Sequence, residues 1–177
     1  NYSDQGEYAK ALELLQQALS ISQTIGDKAG QAMYLNSIGL LYSRLGQYPQ
    51  ALEYRKQALG IAREIGSRPQ EVNIVLSLGV TYRLQKNYAQ AEEQYHQSLT
   101  LARKIGSRAN ESRALGNLGY LYERQGNLAL ALESLQQALN LFREMGDRYG
   151  EGFALGGLGL AYQASGRDAE ASRGQAC

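Results

Sequence analysis

The sequence is poor in the residues that build metal sites, disulfides and membrane spans. Its 177 residues include one histidine, no tryptophan and one cysteine, which is the last residue. A zinc site draws on several Cys and His ligands and an internal disulfide needs two cysteines, so we predict no metal, no cofactor and no disulfide. The longest hydrophobic stretch, 153–162, is interrupted by three glycines and is far shorter than the roughly 20 residues that cross a bilayer.

The chain also lacks an excess of charge of either sign. Eighteen Lys and Arg oppose seventeen Asp and Glu, which leaves a formal charge of +1. No global field therefore draws the protein to nucleic acid or to an anionic membrane, and we predict that it binds neither. No secretory signal opens the sequence, so we expect a cytoplasmic protein.

What the sequence does contain is a forty-residue repeat. One tyrosine series and one alanine series are unbroken: Tyr2, Tyr42, Tyr82, Tyr122 and Tyr162; Ala11, Ala51, Ala91, Ala131 and Ala171. Three glycine series follow the same period: Gly39, Gly79, Gly119 and Gly159; Gly26, Gly66, Gly106 and Gly146; and Gly6, Gly46, Gly126 and Gly166, the last broken once by Lys86. These glycines are therefore regularly spaced positions of a repeat and not a sign of disorder.

Each period reads as two amphipathic helices, A and B, that form one hairpin. Glycines end both helices, and residues of N-cap type follow the glycine of each B-to-A turn: Asp27, Ser67, Ser107 and Asp147. We expect Gln70 to complete a capping box after Ser67, and Asn87 to take the left-handed conformation beside Lys86. The predicted helices lie near 7–25, 28–45, 48–65, 68–85, 88–105, 108–125, 128–145 and 148–165, with a remnant at 168–171.

The prediction for the whole chain is an all-α fold with one domain. Because one hairpin cannot cover its own apolar face, the hairpins must stack into an α-solenoid over residues 1–171, with about four repeats and incomplete repeats at both ends. We expect 172–177 to be a disordered tail. The clipped repeats and the missing initiator methionine make us expect a fragment of a longer array.

The residues resemble the tetratricopeptide repeat family. Its Leu-Gly pair and Tyr in helix A and its two Ala in helix B match here as Leu118, Gly119, Tyr122, Ala131 and Ala138, and again as Ile38, Gly39, Tyr42, Ala51 and Ala58. The resemblance implies a right-handed superhelix of antiparallel hairpins. The period exceeds the family's usual 34 residues, like the longer variant of Pins-type adaptors and large bacterial arrays, and we place the six extra residues in the B-to-A junction.

The resemblance further implies a concave groove lined by the A helices that binds a segment of a partner protein. The family's contact columns carry over to Met33, Asn36, Ser37, Leu40 and Arg44; Asn73, Leu76, Ser77, Val80, Arg83 and Leu84; Arg113, Gly116, Asn117, Tyr120, Glu123 and Arg124; and Phe153, Gly156, Gly157 and Leu160. Four Arg against one Glu among exposed apolar residues suggest an acidic, partly apolar partner segment. The column of the family's carboxylate-clamp Asn holds Leu40, Val80, Tyr120 and Leu160, so chaperone tails are not predicted.

No residue pattern indicates an enzyme. His96, the only histidine, shares a column with Lys56 and Gln136 and reads as a solvated helix position, and Cys177 lies at the chain end. The glycines between Gly150 and Gly159 lack the spacing and the preceding strand of a phosphate-binding loop, although they make this helix the first place to look for a bound partner.

A ladder of basic residues follows the B-to-A turns, and we interpret it as local ion pairing. Its members are Lys28, Arg63, Arg68, Arg103, Arg108, Arg143 and Arg148, and they compete with Glu71, Glu111 and Glu151 nearby.

Three functions stay open from the sequence. The first is a non-enzymatic adaptor that binds a partner in its groove. The second is self-association, through the uncovered apolar side of helix B1 with Leu12, Leu15, Leu19 and Ile21. The third is the regulatory arm of a larger signalling protein or enzyme.

Overall fold

The computed structural model describes the backbone of residues 2–174 and the side chains of residues 7–166. Over that part the chain forms eight α-helices and no strand, as predicted, and none of the helices is long and apolar enough to cross a membrane. The helices are α1 (Tyr2–Thr24), α2 (Lys28–Arg44), α3 (Tyr48–Glu64), α4 (Arg68–Leu84), α5 (Tyr88–Lys104), α6 (Arg108–Arg124), α7 (Leu128–Glu144) and α8 (Arg148–Gly174).

Helices α2 to α7 each have 17 residues, and every turn between them has three. The turn after α2 is 45–47 and the turn after α3 is 65–67, so the B-to-A junction is no longer than the A-to-B turn. The expectation that extra residues lengthen this junction is therefore wrong. The additional residues lie in the helices, because their apolar spacing continues without interruption to each helix end.

The predicted glycine stops are confirmed at six turns. Gly26, Gly46, Gly66, Gly106, Gly126 and Gly146 all have φ between +67° and +77°. At Gly46, its N–H donates to Ser43 O (3.2 Å) and the following Gln47 N–H donates to Tyr42 O (2.9 Å), which satisfies two carbonyls at the end of α2.

The caps are mixed. Asp27 and Asp147 accept hydrogen bonds from the backbone N–H of Gly30 and Gly150, both at 2.9 Å. Ser67 makes no side-chain cap bond, and Gln70 Nε2 instead donates to Ala29 O at 2.9 Å, 41 residues earlier in the chain. The capping box is therefore wrong: a partner carbonyl from the preceding hairpin lies within reach of the Gln70 amide, and this contact holds α4 to the start of α2.

Lys86 takes the place of glycine in one turn and itself has φ +62°. The expectation that Asn87 supplies the left-handed residue is wrong, because the hydrogen-bond pattern of the turn fixes which position must be left-handed. Lys86 N–H donates to Arg83 O (2.9 Å) and Asn87 N–H to Tyr82 O (2.9 Å), the same pair of bonds as at Gly46 and Gln47. A residue with a Cβ pays about 1–2 kcal/mol for this conformation.

We expect Lys86→Gly to stabilise the protein by about 0.5–1 kcal/mol, since glycine removes the left-handed strain and costs some unfolded-state entropy. Urea denaturation followed by circular dichroism measures the change. Lys86→Ala, which keeps the Cβ, is the control and should give no such gain. Equal stabilities of Lys86→Gly and Lys86→Ala would contradict the assignment.

The two terminal glycines of the broken series do not end helices. Gly6 lies inside α1 and Gly166 inside α8, so the predicted start near residue 7 and the break before a remnant at 168–171 are wrong. Gly166 is followed by Arg167, which cannot cap a new helix as Asp27 or Asp147 does, and then by good helix formers. Residues 172–174 of the expected tail belong to α8, and 175–177 lie outside the described residues.

The helices form two compact units, Asn1–Gln94 and Tyr95–Cys177, whose boundary falls within α5. In the first unit α2 packs on α1, α3 and α4, and in the second α7 packs on α6 and α8. The prediction of a single solenoid domain stays a prediction. The first core includes Ala32, Leu35, Ala58, Ala62 and Ile74, and the second includes Leu118, Leu121, Leu135, Ala138 and Phe142.

Small residues let helices A and B approach closely, as predicted. A Cβ at Gly39 would lie 3.0 Å from Ala51 O and 2.8 Å from Arg55 Cγ. At Gly119 it would overlap Leu135 Cγ and lie 3.2 Å from Ala131 O. These seams occupy one side of α2 and of α6, and the predicted contact residues of the A helices lie on other sides of α2, α4, α6 and α8.

Candidate partner-binding grooves

The predicted contact residues of the first unit lie on α2 and α4, and we call this surface the first groove. Its side chains range from exposed to buried. The exposed members are Met33, Leu40, Arg44, Asn73 and Leu84, and the half-buried ones are Asn36, Ser37, Ser77, Val80 and Arg83. Leu76 is only 9% exposed and belongs to the floor, so it offers almost no surface to a partner.

A pocket of about 120 Å³ opens at the N-terminal end of the first groove, between α2 and α4. Three of the predicted contact residues, Met33, Asn36 and Asn73, line it together with Gln70, for which the sequence predicts a helix cap instead. Asn36 Oδ1 and Gln70 Oε1 are buried there and have no hydrogen-bond partner in this structure. Two acceptors without donors are costly in a protein interior, so this pocket favours a ligand that brings N–H or O–H groups.

The serine hydroxyls of the first groove already donate hydrogen bonds within the protein, whereas its arginines form no ion pair among the described residues. Ser37 Oγ donates to Met33 O at 2.9 Å and Ser77 Oγ to Asn73 O at 2.8 Å, each within its own helix. Among the described residues Arg44 and Arg83 have no ion pair, and Arg83 Nε is buried without a partner. The charge available to a ligand is therefore positive.

Beneath the groove lies a buried charge that the sequence pattern did not predict. Arg55 of α3 is 2% exposed, and its stem crosses Gly39. Its Nη1 donates to Ser77 O (2.8 Å), to Ser43 Oγ (3.2 Å) and to Thr81 Oγ1, while Nε has no partner. No carboxylate of the first unit pairs with it among the described residues, and burial lowers the pKa of the guanidinium to about 10. The only sign of this buried charge in the sequence is that Arg55 occupies the repeat position that holds leucine at Leu15 and Leu135.

The predicted contact residues of the second unit lie on α6 and α8, and we call this surface the second groove. The exposed members are Arg113, Arg124, Gly156 and Leu160, the half-buried ones are Asn117, Tyr120, Glu123 and Phe153, and Gly116 and Gly157 are buried. Arg124 Nε lies 3.9 Å from Glu123 Oε2, which is a weak pairing, and Arg113 has no ion pair among the described residues.

An aromatic pair joins α6 to α8 in the second groove. The rings of Tyr120 and Phe153 lie 4.6 Å apart at 40°, and Tyr120 Oη donates to Phe153 O at 3.0 Å. Burial, and then the charge of Glu123, raises the pKa of the Tyr120 hydroxyl. A Cβ at Gly116 would lie 2.8 Å from Phe153 Cε1, so this glycine admits the ring. Tyr120 is thus part of the scaffold as well as of the surface.

A pocket of about 240 Å³ lies at the N-terminal end of the second groove, in the region equivalent to the pocket of the first. Three of the predicted contact residues, Arg113, Asn117 and Phe153, line it, and Phe142, Asp147, Tyr149 and Gly150 complete it. Tyr149 is 88% exposed, although an aromatic ring gains free energy when it is buried. The sequence offered a signal for Tyr149, because its column otherwise holds Ala29, Pro69 and Ala109.

The glycines of α8 divide into two kinds. A Cβ at Gly150 would overlap the ring of Phe142, and one at Gly157 would lie 2.7 Å from Leu135 Cδ2, so these two serve packing. Gly152 meets nothing within 4 Å among the described residues. Packing accounts for part of the cluster, and no phosphate-binding loop is formed because the segment is helical throughout.

The basic ladder is locally paired, as predicted. Its distances are 2.8 Å for Arg63–Glu71, 2.6 Å for Arg68–Glu71, 2.7 Å for Arg103–Glu111, 2.9 Å for Arg143–Glu151, 2.7 Å for Arg148–Glu151 and 3.6 Å for Lys28–Glu64, and Arg108 pairs with Glu144. Burial would raise the pKa of the Glu71 carboxyl, but the hydrogen bonds and charges of Arg63 and Arg68 outweigh it and lower that pKa. Among the described residues, the solvent-accessible arginines without an ion pair therefore lie in the grooves and not along the turns.

The repeat geometry and the tight glycine seams agree with a comparison of sequences. Residues 1–64 and 71–144 match the profile of the tetratricopeptide repeat. The chain belongs to the tetratricopeptide repeat family. Among curated proteins no sequence matches significantly.

Solved structures of other tetratricopeptide-like proteins share this fold. BtubC from P. vanneervenii aligns with a TM-score of 0.81 at 23% identity, over 96% of this chain and 71% of that one. A putative kinesin light chain from Podosopora anserina gives 0.71 at 20%, over 97% and 85%. A Rap protein complexed with competence and sporulation factor gives 0.79 at 15%, over 89% and 46%, so this tetratricopeptide repeat chain spans less than half of that protein.

Proposed function

We propose that this tetratricopeptide repeat protein is a non-enzymatic, cytoplasmic scaffold whose grooves bind an acidic, partly apolar segment of a partner protein. The observation that carries the proposal is the charge of the two grooves. Arg44, Arg83 and Arg113 have no ion pair among the described residues, while nearly every arginine of the turns has one. A cation left without a partner beside exposed Met33 and Leu40 suits a carboxylate next to an apolar side chain.

The amide side chains supply a second part of the recognition. Asn36, Gln70 and Asn73 surround the first pocket, and two of their oxygens lack donors. The backbone N–H groups of an extended peptide, or the first turn of a partner helix, would satisfy them. The Rap structure with competence and sporulation factor offers an analogy for a repeat scaffold in complex.

A charge reversal in the grooves tests this proposal. We expect Arg44→Glu with Arg113→Glu to weaken the binding of acidic, apolar peptides by about 10-fold or more, since each groove then repels the carboxylates. Peptides selected from a randomised library on the wild-type chain are the ligands, and fluorescence anisotropy measures their affinity. Helical content should stay unchanged, because both arginines are exposed and unpaired.

The matched control is Lys56→Glu with Lys104→Glu. These exposed lysines lie on α3 and α5, outside both grooves, and the double change alters the net charge by the same amount. The control should bind the peptides as the wild type does. Equal losses in both double variants would show that only net charge matters, and binding that tolerates the groove reversal would contradict the groove assignment.

Self-association is the second candidate, and the exposed face of α1 favours it. Leu14, Ile21 and Ile25 are 56%, 62% and 70% exposed, and Leu155 and Tyr162 of α8 are 45% and 62% exposed. Exposed apolar side chains of this kind are common at interfaces between protein molecules. Light scattering over a concentration series separates the candidates, since a monomer at all concentrations is incompatible with self-association.

A further inference from the structure

One column of the repeat reads Leu14, Tyr54, Gln94 and Ser134, so it carries a tyrosine in α3 and a serine in α7. Tyr54 of α3 and Ser134 of α7 are two periods apart, as are Tyr42 of α2 and Tyr122 of α6. The same structural position is therefore filled by an aromatic ring in one unit and by a hydroxymethyl group in the other.

In the first unit Tyr54 completes the packing. Its ring stacks on Tyr42 with a centroid distance of 5.2 Å and an interplanar angle of 9°. Leu19 and Tyr54 pack against the buried cluster that contains Leu35. Burial, and then the neighbouring Tyr54, raises the pKa of Tyr42, as expected for two phenols in contact. In the first unit the space beside the Tyr42 ring is therefore filled by the ring of Tyr54.

In the second unit the equivalent position is open. A pocket of about 270 Å³ lies between α5, α6 and α7, with Leu99, Leu115, Leu118 and Tyr122 among its lining residues and Ser134 at the site of the missing ring. Leu99 and Leu115 are the repeat equivalents of Leu19 and Leu35; Leu35 belongs to the buried cluster of the first unit, against which Leu19 and Tyr54 both pack. The pocket therefore has the walls of the Tyr54 site without its ring.

The rim of this pocket is polar and its floor is held in place. His96, Arg103, Glu133 and Gln137 surround the opening, and His96 Nε2 lies 2.9 Å from Tyr122 Oη, in a hydrogen bond that positions the tyrosine ring. The sequence predicts that His96 is exposed to solvent. Its side chain is exposed, and it also forms a hydrogen bond with Tyr122. The volume lies just below the range of about 300–1,000 Å³ that is usual for small-molecule sites, and suits one ring with its substituent.

We propose that this pocket binds the side chain of a tyrosine from a partner protein, with the ring stacked on Tyr122 and the hydroxyl at the polar rim. The occupant follows from the repeat itself, because the chain fills the equivalent pocket with its own Tyr54. None of the pocket residues belongs to either groove, so this is a second recognition site. It adds an aromatic anchor of the kind that dominates many protein interfaces.

The test uses p-cresol, the side-chain analogue of tyrosine, and nuclear magnetic resonance of the full chain. We expect p-cresol to shift the signals of residues around Tyr122 and Leu99, and to bind more tightly than 4-methylcyclohexanol, which has similar size but no aromatic face. Two substitutions exchange the filled and open states. Ser134→Tyr should weaken p-cresol binding by about 10-fold or more, and Tyr54→Ser should create a second binding site beside Tyr42.

Ser134→Ala leaves the pocket open and is the matched control, with binding close to that of the wild type. If Ser134→Tyr fails to fold, Tyr54→Ser still decides, since the new site would appear at Tyr42. The groove variant Arg44→Glu with Arg113→Glu should bind p-cresol normally, which separates this proposal from that of the grooves. Absence of binding, equal binding of the two alcohols, or binding unaffected by Ser134→Tyr would overturn the proposal.

Discussion

Replacing Arg55 by leucine is expected to raise the free energy of unfolding by about 2–3 kcal/mol. Burial lowers the pKa of Arg55 to about 10, which corresponds to a penalty of about 3 kcal/mol on the charged form. The side chain is 2% exposed and no carboxylate of the first unit offsets this cost among the described residues. Leucine occurs at the equivalent positions 15 and 135, so the site accepts its volume.

The groups that Arg55 contacts remain bonded after the change. Ser43 Oγ donates to Gly39 O at 3.0 Å, and Thr81 Oγ1 donates to Ser77 O at 3.0 Å. Removing the guanidinium therefore leaves neither hydroxyl without a partner, and the gain from removing the buried charge is not cancelled.

The measurement is urea denaturation of the wild type, Arg55→Leu and Arg55→Ala. The alanine variant loses the packing of the stem and should be less stable than the leucine variant by about 2 kcal/mol or more. The pH dependence has a fixed sign. Because the folded pKa lies below the unfolded one, the penalty is complete below about pH 10 and shrinks as the pH rises above that value. A leucine variant no more stable than the wild type at neutral pH would contradict this account.

Gly119→Ala should have the opposite effect, a loss of about 2–3 kcal/mol in the free energy of unfolding. The added Cβ would overlap Leu135 Cγ and approach Leu135 Cδ2 to 3.0 Å and Ala131 O to 3.2 Å. Leu135 is fully buried and cannot swing away, and the carbonyl belongs to the helix backbone. Helices α6 and α7 must then separate along their whole contact, which also moves the floor of the second groove.

Gly159→Ala is the matched control for Gly119→Ala. Both glycines occupy the same column of the repeat, but a Cβ at Gly159 meets nothing within 4 Å among the described residues. Alanine should therefore stabilise α8 by up to about 1 kcal/mol through helix propensity alone. Thermal unfolding of the two variants gives the comparison, and changes of the same sign would show that close packing does not explain the series.

The repeat made most of the fold predictable. A period of forty fixes the spacing of the turns, and the glycines mark their left-handed positions, so helix bounds within the array followed from the sequence to within a residue or two. The prediction failed at Gly6 and Gly166, which lie within α1 and α8, because a glycine permits a helix end but does not require one.

The sites were less predictable, because they depend on single departures from the repeat. The contact columns placed candidate contact residues on α2, α4, α6 and α8, but they did not predict the unpartnered oxygens of Asn36 and Gln70 or the exposed ring of Tyr149. Arg55 shares its column with Leu15, Tyr95 and Leu135, and Ser134 shares its column with Leu14, Tyr54 and Gln94; a column shows only that a residue differs. Whether the difference buries a charge or opens a pocket depends on distances that only the folded chain provides.

The equal three-residue turns have a consequence for how such a chain changes its length. Gly66-Ser67-Arg68 and Gly106-Ser107-Arg108 are the same tripeptide at the same point of successive hairpins. A chain cut after Gly66 and rejoined at Ser107 would keep the identical junction, with one hairpin removed and no new turn to design. Recombination between repeats can therefore add or remove one forty-residue period without requiring a new turn sequence.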